Sequence, residues 1–212
     1  MTFVGFRQAQ LNLQNVKGAI GMNLDELPQS ISNVLEQELS PSKQMFDQLI
    51  TFFANDDWSF TRLHGEPILY TSIQGKNGEW NCYAHIRGEQ AQFAFYSICP
   101  IATPSEKLLS IAEFITRVNS GMILGNFELD FEDGEIRYKT SIDVTDDYLS
   151  YALIKQLVYA NISMMDAYLP GIRAVIAGAA TPLEAIRQIE ASGQVAEGSR
   201  EIEESENVPV EV

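Results

Sequence analysis

Residues 125–176 decide the fold of this chain; they read GNFELDFEDGEIRYKTSIDVTDDYLSYALIKQLVYANISMMDAYLPGIRAVI. The first part alternates apolar and polar residues on both sides of Asp133-Gly134. That pair favours a two-residue hairpin turn, because both central positions of a type I′ turn need a positive φ. The second part repeats apolar residues at helical spacing. The stretch therefore predicts a β-hairpin followed by a long helix.

A turn at Asp133-Gly134 fixes which side chains of the hairpin face each other. On the buried side the predicted pairs are Phe131 with Ile136, Leu129 with Tyr138 and Phe127 with Thr140. On the other side they are Asp130 with Arg137 and Glu128 with Lys139. Opposite charges across a ladder stabilise it by roughly 0.2–1 kcal/mol per pair. We therefore assign structural roles to these four charged residues and to Gly134.

The long helix that follows Thr145 carries an unusually wide apolar surface. At about 100° per residue its apolar side chains span roughly 220° of arc, against the ~100° that one packed face needs. One side can cover the sheet, and the remainder must meet the N-terminal helices, a second subunit or a client protein. The candidates for partner-facing or dimer-facing residues are Tyr159, Met165, Tyr168 and Leu169.

Two features interrupt this apolar surface. Asn161 lies within the apolar arc, and a buried amide without partners costs roughly 1–3 kcal/mol. We expect Asn161 to have a structural role, either in a bond to a neighbouring strand or loop or in fixing the register of a helix–helix contact. Pro170-Gly171 should kink or break the helix at that point.

Upstream of the hairpin the chain reads as helices followed by a run of strands. Residues 24–39 carry Ile31, Val34, Leu35 and Leu39 at helical spacing, which predicts a short amphipathic helix. Ser40 and Pro41 resemble the N-cap and first residue of a second helix that should end near Asn55. The predicted strands cover residues 58–63, 67–74, 79–87 and 92–99. In the third strand one face is apolar: Trp80, Cys82, Ala84 and Ile86.

Capping boxes predict two further helices. In a capping box, a Thr side chain and a Glu three residues later accept hydrogen bonds from each other's backbone N–H. The sequences are Thr103-Pro104-Ser105-Glu106, whose helix should end at Gly121, and Thr181-Pro182-Leu183-Glu184. Strands that follow one another, rather than alternating with helices, indicate the α+β class. We predict an antiparallel sheet flanked by helices, with a long helix near the C-terminus.

The composition excludes some partners. The formal net charge is −15, with a pI of about 4.4, which argues against nucleic acid and anionic membrane surfaces as partners. No apolar run approaches the ~18 residues of a membrane span, and the first residues lack the apolar core of a signal peptide. The two cysteines, Cys82 and Cys99, are expected to be buried free thiols in a reducing cytoplasm.

The chain divides into three predicted parts. Residues 1–40 form an N-terminal extension that contains the short helix. Residues 41–191 form one α+β domain. Residues 192–212 contain six Glu and one Arg with no apolar period, which is typical of a disordered acidic tail.

The motifs of common catalytic and binding sites are absent from the sequence. It contains no phosphate-binding glycine loop and no dinucleotide fingerprint. The stretch from Asp130 to Glu135 fails as a calcium loop, because Gly134 falls where a ligand is required. His64 and His85 have no ligand partner at metal-binding spacing. We therefore predict no catalytic residues, no cofactor and no metal.

The hairpin and the long helix, GNFELDFEDGEIRYKTSID and LIKQLVYANISMMDAYLPGIRAVI, resemble the YbjN-domain family of bacterial sensory transduction regulators, especially its cyanobacterial members. The resemblance runs from about Ser42 to Ile176 and is most specific over Gly125–Gly171. It implies an α+β fold like that of type III secretion chaperones, usually dimeric, and it implies no catalytic residues.

Two functions remain open from the sequence. The first is a non-enzymatic, homodimeric protein-binding module, an adaptor or chaperone-like regulator that holds a segment of a client protein. The alternative is a small-ligand sensor, with a pocket between sheet and helices reached by four aromatic residues: Trp58, Tyr70, Trp80 and Tyr83.

Overall fold

The structure, a computed structural model, describes residues 40–145 and 147–193. Within these ranges the helices are α1 (Pro41–Asn55), α2 (Leu108–Asn119), α3 (Tyr151–Ile176) and α4 (Pro182–Ser192). The strands are β1 (Thr61–Arg62), β2 (Ile68–Gln74), β3 (Glu79–Arg87), β4 (Gln92–Ile98), β5 (Asn126–Leu129) and β6 (Ile136–Asp143). The helix predicted over residues 24–39 and nearly all of the predicted acidic tail lie outside the described residues.

The six strands form one antiparallel sheet in the order β1-β2-β3-β4-β6-β5. The α+β prediction is confirmed. The four predicted strands upstream of α2 are all present. The first is much shorter than predicted, because only Thr61 and Arg62 pair with β2.

One face of the sheet packs against the helices. The inward side chains of β3, which are Trp80, Cys82, Ala84 and Ile86, are each at most 2% exposed, as the alternation in the sequence predicted. They belong to a single apolar cluster with the buried side chains of all four helices. Burial of this face is the main stabilising contribution, at about 25 cal/mol for each Å² of apolar surface removed from water. The core therefore lies between the helices and this one face.

Two of the three predicted helix N-caps are confirmed. The hydroxyl of Ser40 accepts a hydrogen bond from the N–H of Lys43, with Pro41 at the first helical position. Thr181 and Glu184 bond each other's backbone N–H in a complete capping box at the start of α4. Each such cap contributes about 1 kcal/mol, which explains why these boundaries are readable in the sequence.

The capping box predicted at Thr103 is wrong. Ser105–Lys107 form a single 3₁₀ turn, and α2 begins only at Leu108 and ends at Asn119. The reason is tertiary: the N–H of Thr103 donates to the carbonyl of Gly134, in the turn of the β5–β6 hairpin. The hydroxyl of Thr103 is buried and has no hydrogen-bond partner among the residues that the structure describes.

The register predicted for the hairpin is also wrong, by two residues. Glu128 lies opposite Arg137 and Leu129 opposite Ile136, so residues 131–134 form the connection instead of Asp133-Gly134 alone. Gly134 has a φ of 77°, whereas Asp133 is not in the positive-φ region that a type I′ turn requires at both positions.

Local side-chain bonds select this longer turn. The carboxylates of Asp130 and Asp133 accept hydrogen bonds from the N–H groups of Glu132 and Glu135, an arrangement that competes with a tight hairpin. Because the shift is even, each strand residue keeps its predicted face. The residue lost from the sheet is Phe131, which was expected to be buried opposite Ile136 and is 56% exposed in the turn.

The predicted break at Pro170 is absent, since α3 continues to Ile176. A proline has no N–H, so the carbonyl of Asp166, four residues earlier, loses its helical donor. The side-chain amide of Asn77, in the β2–β3 turn, donates to that carbonyl at 3.0 Å. The carboxylate of Asp166 in turn accepts from the N–H groups of Lys76 and Asn77. The turn thus binds to α3 where the proline leaves a carbonyl free.

Candidate functional site

The outward face of the sheet, opposite the described helices, lies outside the apolar cluster. We call it the open face and define it by the outward residues of strands β2 to β6. None of its side chains belongs to the cluster between sheet and helices. The residues at its centre, strand by strand, are Ile68 and Tyr70, Asn81, Tyr83 and His85, Ala94, Tyr96 and Ile98, Arg137 and Lys139, and Glu128.

A row of tyrosines crosses the middle of the open face. Tyr70 lies directly opposite Tyr83, and Tyr83 directly opposite Tyr96, on three adjacent strands. The rings of Tyr70 and Tyr83 are 5.5 Å apart between centroids. All three side chains are half-buried. This tyrosine row offers rigid aromatic surface together with hydroxyl groups, a combination that is enriched at protein interfaces.

Smaller apolar residues flank the tyrosine row on both sides. Ile68, His85 and Ala94 face one another on adjacent strands on one side of it, and Ile98 lies opposite Asn81 on the other. Burial lowers the pKa of His85, with a smaller lowering by the charge of Arg87 that Glu66 partly offsets. His85 is therefore a neutral, mainly apolar component of the surface at physiological pH.

A three-residue charge cluster closes the β5–β6 end of the open face. Glu128 accepts hydrogen bonds from Arg137, with 2.7 Å between the guanidinium Nε and the carboxylate, and from the ammonium group of Lys139. Partial burial alone would raise the pKa of Glu128, but these two bonds and the two positive charges hold it below its usual value. The guanidinium of Arg137 also lies 5.4 Å from the ring centre of Tyr96. The cluster thus connects the tyrosine row to the sheet edge.

The charged residues of the hairpin pair differently from the prediction, which had Asp130 with Arg137 and Glu128 with Lys139. Glu128 contacts both Arg137, directly opposite, and Lys139, one diagonal step away. Asp130 was expected to face Arg137 but lies in the turn, where its carboxylate accepts from Glu132. Gly134 takes a left-handed conformation and its carbonyl binds Thr103.

The charges on the open face cancel, although the chain as a whole carries −15. Its outward cations are Arg87, Arg137 and Lys139, and its outward anions are Glu79, Glu128 and Asp143, so that +3 − 3 = 0. The surface is a neutral aromatic patch with polar side chains around it. That arrangement matches the apolar centre and polar rim of a protein interface.

Exposed apolar side chains also occur on the piece of chain around β5, the edge strand of the sheet. Four of the exposed large apolar side chains belong to the stretch from α2 to the hairpin turn: Leu109 (79% exposed), Ile123 (96%), Leu124 (48%) and Phe131 (56%). We call these four residues the apolar flank. Large exposed apolar residues of this kind are candidates for a contact surface.

The side chain of Asn119 occupies the backbone groups at this edge. Its Oδ1 accepts from the N–H of Phe127 at 2.8 Å, and its Nδ2 donates to the carbonyl of Phe127 at 2.9 Å. Asn119 thus replaces one residue of an additional strand. Natural proteins protect exposed sheet edges in this way against unwanted strand pairing.

The residues predicted to face a partner are mostly inside the chain. Met165 and Leu169 are 0% exposed, and Tyr168 is 7% exposed with its ring against Phe114 and Phe127. This corrects the expectation that they form a surface. The wide apolar arc of α3 is covered within the chain, by the sheet on one side and by α1, α2 and α4 around it.

Tyr159, the fourth candidate, is half-buried at the margin of α3. Its hydroxyl donates to Asp56 at 3.0 Å, and its ring lies edge-on to Trp58 at 6.0 Å. Burial, followed by the bond to Asp56, raises the pKa of Tyr159. Tyr151 donates to the same carboxylate, which raises its own pKa to about 12. Tyr159 therefore joins α3 to the end of α1.

Asn161 bonds the neighbouring strands, which is one of the two structural roles proposed for it. Its amide nitrogen donates to the carbonyls of Phe95 at 2.9 Å and Tyr138 at 3.0 Å, on the adjacent strands β4 and β6. The side chain is 0% exposed, and its Oδ1 has no partner among the described residues. Asn161 thus fixes α3 over the centre of the sheet.

The four aromatic residues proposed to reach one pocket do not come together. Trp80 is buried on the helix side, where its indole N–H donates to Ser97. Tyr70 and Tyr83 lie on the open face, on the other side of the sheet. Because alternate residues of a strand point to opposite faces, Trp80 and Tyr83 cannot line the same cavity. Alternation within β3 alone already carried this signal in the sequence.

Among the described residues, the cysteines and the potential metal ligands form no further site. Cys82 and Cys99 are free and buried, as predicted, and burial raises their thiol pKa values to about 12 and about 11. Within residues 40–145 and 147–193 there is no group of three or more His, Cys, Asp or Glu that could hold a metal ion. Among the same residues, no helix combines the length and apolar character needed to cross a membrane.

A comparison with protein families matches residues 46–174 to YbjN, described as "Putative bacterial sensory transduction regulator". The match runs from α1 to the last turn of α3 and agrees with the resemblance found in the hairpin and long helix.

Two solved structures are similar to the chain. One is a crystal structure of YbjN from E. coli, described as a putative transcription regulator, with 13% identity and a TM-score of 0.44 over 55% of this chain and 82% of that chain. The other is a crystal structure of the ExsC–ExsE complex, with 10% identity and a TM-score of 0.41 over 60% of this chain and 92% of that chain. No curated protein matches the sequence significantly.

Proposed function

Because this chain belongs to the YbjN family of bacterial sensory transduction regulators, we propose that it is a non-enzymatic, homodimeric protein-binding module, an adaptor or chaperone-like regulator. The single observation that carries this proposal is the open face with its tyrosine row. A partner polypeptide lies across that face and is held by aromatic contacts and hydroxyl hydrogen bonds.

The size of the open face favours a segment of a protein as the partner. Five strands about 4.8 Å apart and some seven residues long make a surface on the order of 20 Å by 23 Å, or roughly 450 Å². A typical interface between folded proteins buries about 800 Å² on each side. A single helix or extended segment fits the smaller area. The surface is a sheet face and not a concave cavity, and small molecules favour cavities.

The partner is recognised through side chains and not by addition of a strand. At the β5 edge, Asn119 already bonds both backbone groups of Phe127. The tyrosine row lies at the centre of the face, where aromatic side chains contribute most to binding. The paired charges of Glu128, Arg137 and Lys139 lie at its margin, where they set orientation more than affinity.

The proposal of a non-enzymatic role has a chemical basis in the described residues. On the open face, the carboxylate of Glu128 is bonded by two cations and stays ionised, which makes it a weak base. The thiols of Cys82 and Cys99 are buried with raised pKa values, so they remain protonated and unreactive. These groups serve packing and charge pairing.

The apolar flank supplies the homodimer contact in this proposal. Leu109, Ile123 and Phe131 are exposed and belong to the piece of chain around β5, the edge strand of the sheet. A two-fold contact places the patch of one subunit against the same patch of the other. These side chains are then buried in both subunits. The open faces of both subunits then remain accessible to partners.

The test compares two arginine substitutions in the tagged full-length chain. Tyr83→Arg places a charge at the centre of the tyrosine row, and Tyr148→Arg places one at a tyrosine that is 66% exposed outside the sheet. Proteins that copurify from the native lysate are quantified by mass spectrometry. We expect at least one stoichiometric partner with the wild type and Tyr148→Arg that is lost with Tyr83→Arg. If all three chains recover the same proteins in the same amounts, the open face is not the binding site.

A further inference from the structure

We propose that residues 24–39 of the same chain lie across the open face when no partner is bound, so that a partner must displace them. This inference rests on the proposed function, because it assigns a regulator to the same surface. It is supported by where the segment enters the fold, by its reach, and by the chemistry of the two surfaces.

The segment enters the fold at the margin of the open face. Its last residue precedes Ser40, which caps α1. Ser42, two residues later, packs against the turn between β3 and β4: a Cβ on Gly88 would lie 2.0 Å from its Oγ and 2.8 Å from its Cα. Gly88 directly follows Arg87, an outward residue at the end of β3. The chain before Ser40 therefore begins at the end of a central strand, where both faces of the sheet are within reach.

The backbone at this junction turns the segment away from α1. Ser40 is extended, with φ −63° and ψ 140°, and is followed by a proline. A residue before proline is disfavoured in the helical region, so α1 does not extend upstream through Ser40. A helix with Pro28 at its first position and Leu39 at its end would be about 18 Å long at 1.5 Å per residue. That length fits within a sheet face of roughly 23 Å along its strands.

The apolar residues of segment 24–39 and the tyrosine row are both stabilised by burial, and each can cover the other. Ile31, Val34, Leu35 and Leu39 recur at helical spacing and form a stripe that a stable helix must bury. On the other side of the sheet, the inward side chains are already covered by α1 to α4. The tyrosine row, with Ile68, Ala94 and Ile98 beside it, is the broad apolar surface near the junction that the described helices leave uncovered.

The charges also agree. Residues 24–39 contain Asp25, Glu26, Glu36 and Glu38 and no Lys or Arg. The last two acids are within four residues of Ser40 in the sequence, and Ser42 packs against Gly88, which follows the exposed Arg87. A segment with acidic residues at this end is attracted to the margin of the open face, whereas a basic one would be repelled by Arg87.

The test uses the purified full-length chain with the photoreactive residue p-benzoylphenylalanine at position 83, in the tyrosine row. After irradiation without any partner, mass spectrometry maps the crosslinked peptides. We expect crosslinks between position 83 and residues 24–39 within one chain. The same probe at position 148, outside the sheet, is the matched control and should not reach that segment. A probe at position 96 repeats the measurement should position 83 disturb the fold.

A double substitution in the segment completes the test. Val34→Asp with Leu35→Asp, in the chain that carries the probe, should abolish the crosslink, because the apolar stripe is lost. An unchanged crosslink pattern, crosslinks only to other regions, or crosslinks only between two chains would each overturn the inference. The experiment contains no partner protein, so its outcome is separate from the copurification test. If the crosslink forms but the copurification finds no partner that Tyr83→Arg removes, this inference stands and the proposed function is rejected.

Discussion

At the scale of single residues, Asn77 compensates for the hydrogen bond that Pro170 removes from α3. Pro170 removes a helical N–H in the middle of α3, and the side chain of Asn77 donates to the carbonyl of Asp166 that is left free. Arg173, one turn beyond the proline, donates to the carbonyl of Asn77 at 2.8 Å. A proline that would break an isolated helix is therefore tolerated because another element of the fold supplies the missing donor.

The first prediction tests this compensation. Asn77→Ala leaves the carbonyl of Asp166 without its donor, and we expect a loss of about 1–2 kcal/mol in the free energy of unfolding, measured by urea denaturation. In a Pro170→Ala background the new N–H of residue 170 bonds the same carbonyl, so the loss from Asn77→Ala should shrink. Equal losses in the two backgrounds would show that the bond does not compensate for the proline.

Burial also excludes two residues of α3 from direct contact with a partner. Leu169 and Met165 lie on the arc that was expected to face a partner, yet both are fully buried within the chain. A charge at Leu169 would therefore act on folding before it could act on binding. Experiments on partner binding belong instead on the open face, where the tyrosine row is only half-buried.

At the scale of elements, the β5–β6 hairpin combines a turn and a charge cluster. The turn is set by the carboxylates of Asp130 and Asp133, and the strands are joined outward by Glu128 with Arg137 and Lys139. The ionisation of Glu128 is coupled to the stability of the hairpin, because its charge pairs with both cations. Its pKa is lower in the folded chain than in the unfolded chain.

The second prediction is a pH dependence of stability from Glu128. A carboxyl whose pKa is lowered by folding contributes its stability above the unfolded pKa, which is near 4.5, and loses it as the pH falls through the folded value. Glu128→Gln should lower the urea midpoint at pH 7, and the difference from the wild type should vanish in acid. Glu132 is an exposed acid in the adjacent turn. The control variant Glu132→Gln should change neither the urea midpoint at pH 7 nor its dependence on pH. A Glu128→Gln difference that stays constant with pH would exclude this linkage.

At the scale of the whole molecule, the sheet has one packed face, one open face and one apolar edge. The four described helices cover the side that carries Trp80, Cys82, Ala84 and Ile86. In the proposed function the open face binds a partner segment, and the apolar flank binds a second copy. The two surfaces consist of different residues, so that both contacts can form in one assembly.

The third prediction concerns the apolar flank. Ile123 is 96% exposed, so Ile123→Asp removes no contact within the chain and should not lower the stability of the monomer. In the proposed dimer it places a carboxylate in a desolvated contact, which weakens association. Light scattering should give the mass of two 23.7 kDa chains for the wild type and of one for the variant. Leu183→Asp, a similar change on α4 and outside the flank, should keep the mass of the wild type.

Local signals in the sequence determined most of the elements. Ser40-Pro41 and Thr181-Pro182 gave the starts of α1 and α4, since a cap is a bond between residues three positions apart. Alternation in β3 gave its inward face, because strand side chains alternate strictly. The family resemblance in the hairpin and the long helix followed from the same residues and was confirmed over 46–174.

Only the tertiary structure decided the start of α2 and the surroundings of α3, whereas local bonds of Asp130 and Asp133 set the register of the hairpin. The N–H of Thr103 binds the hairpin turn instead of opening a helix, and Asn77 removes the break expected at Pro170. The candidate site followed the same rule: each tyrosine of the row was visible in the sequence, but the register of three strands places them side by side. A contact between residues far apart in the chain depends on how the elements pack, and periodicity within one element carries no information about it.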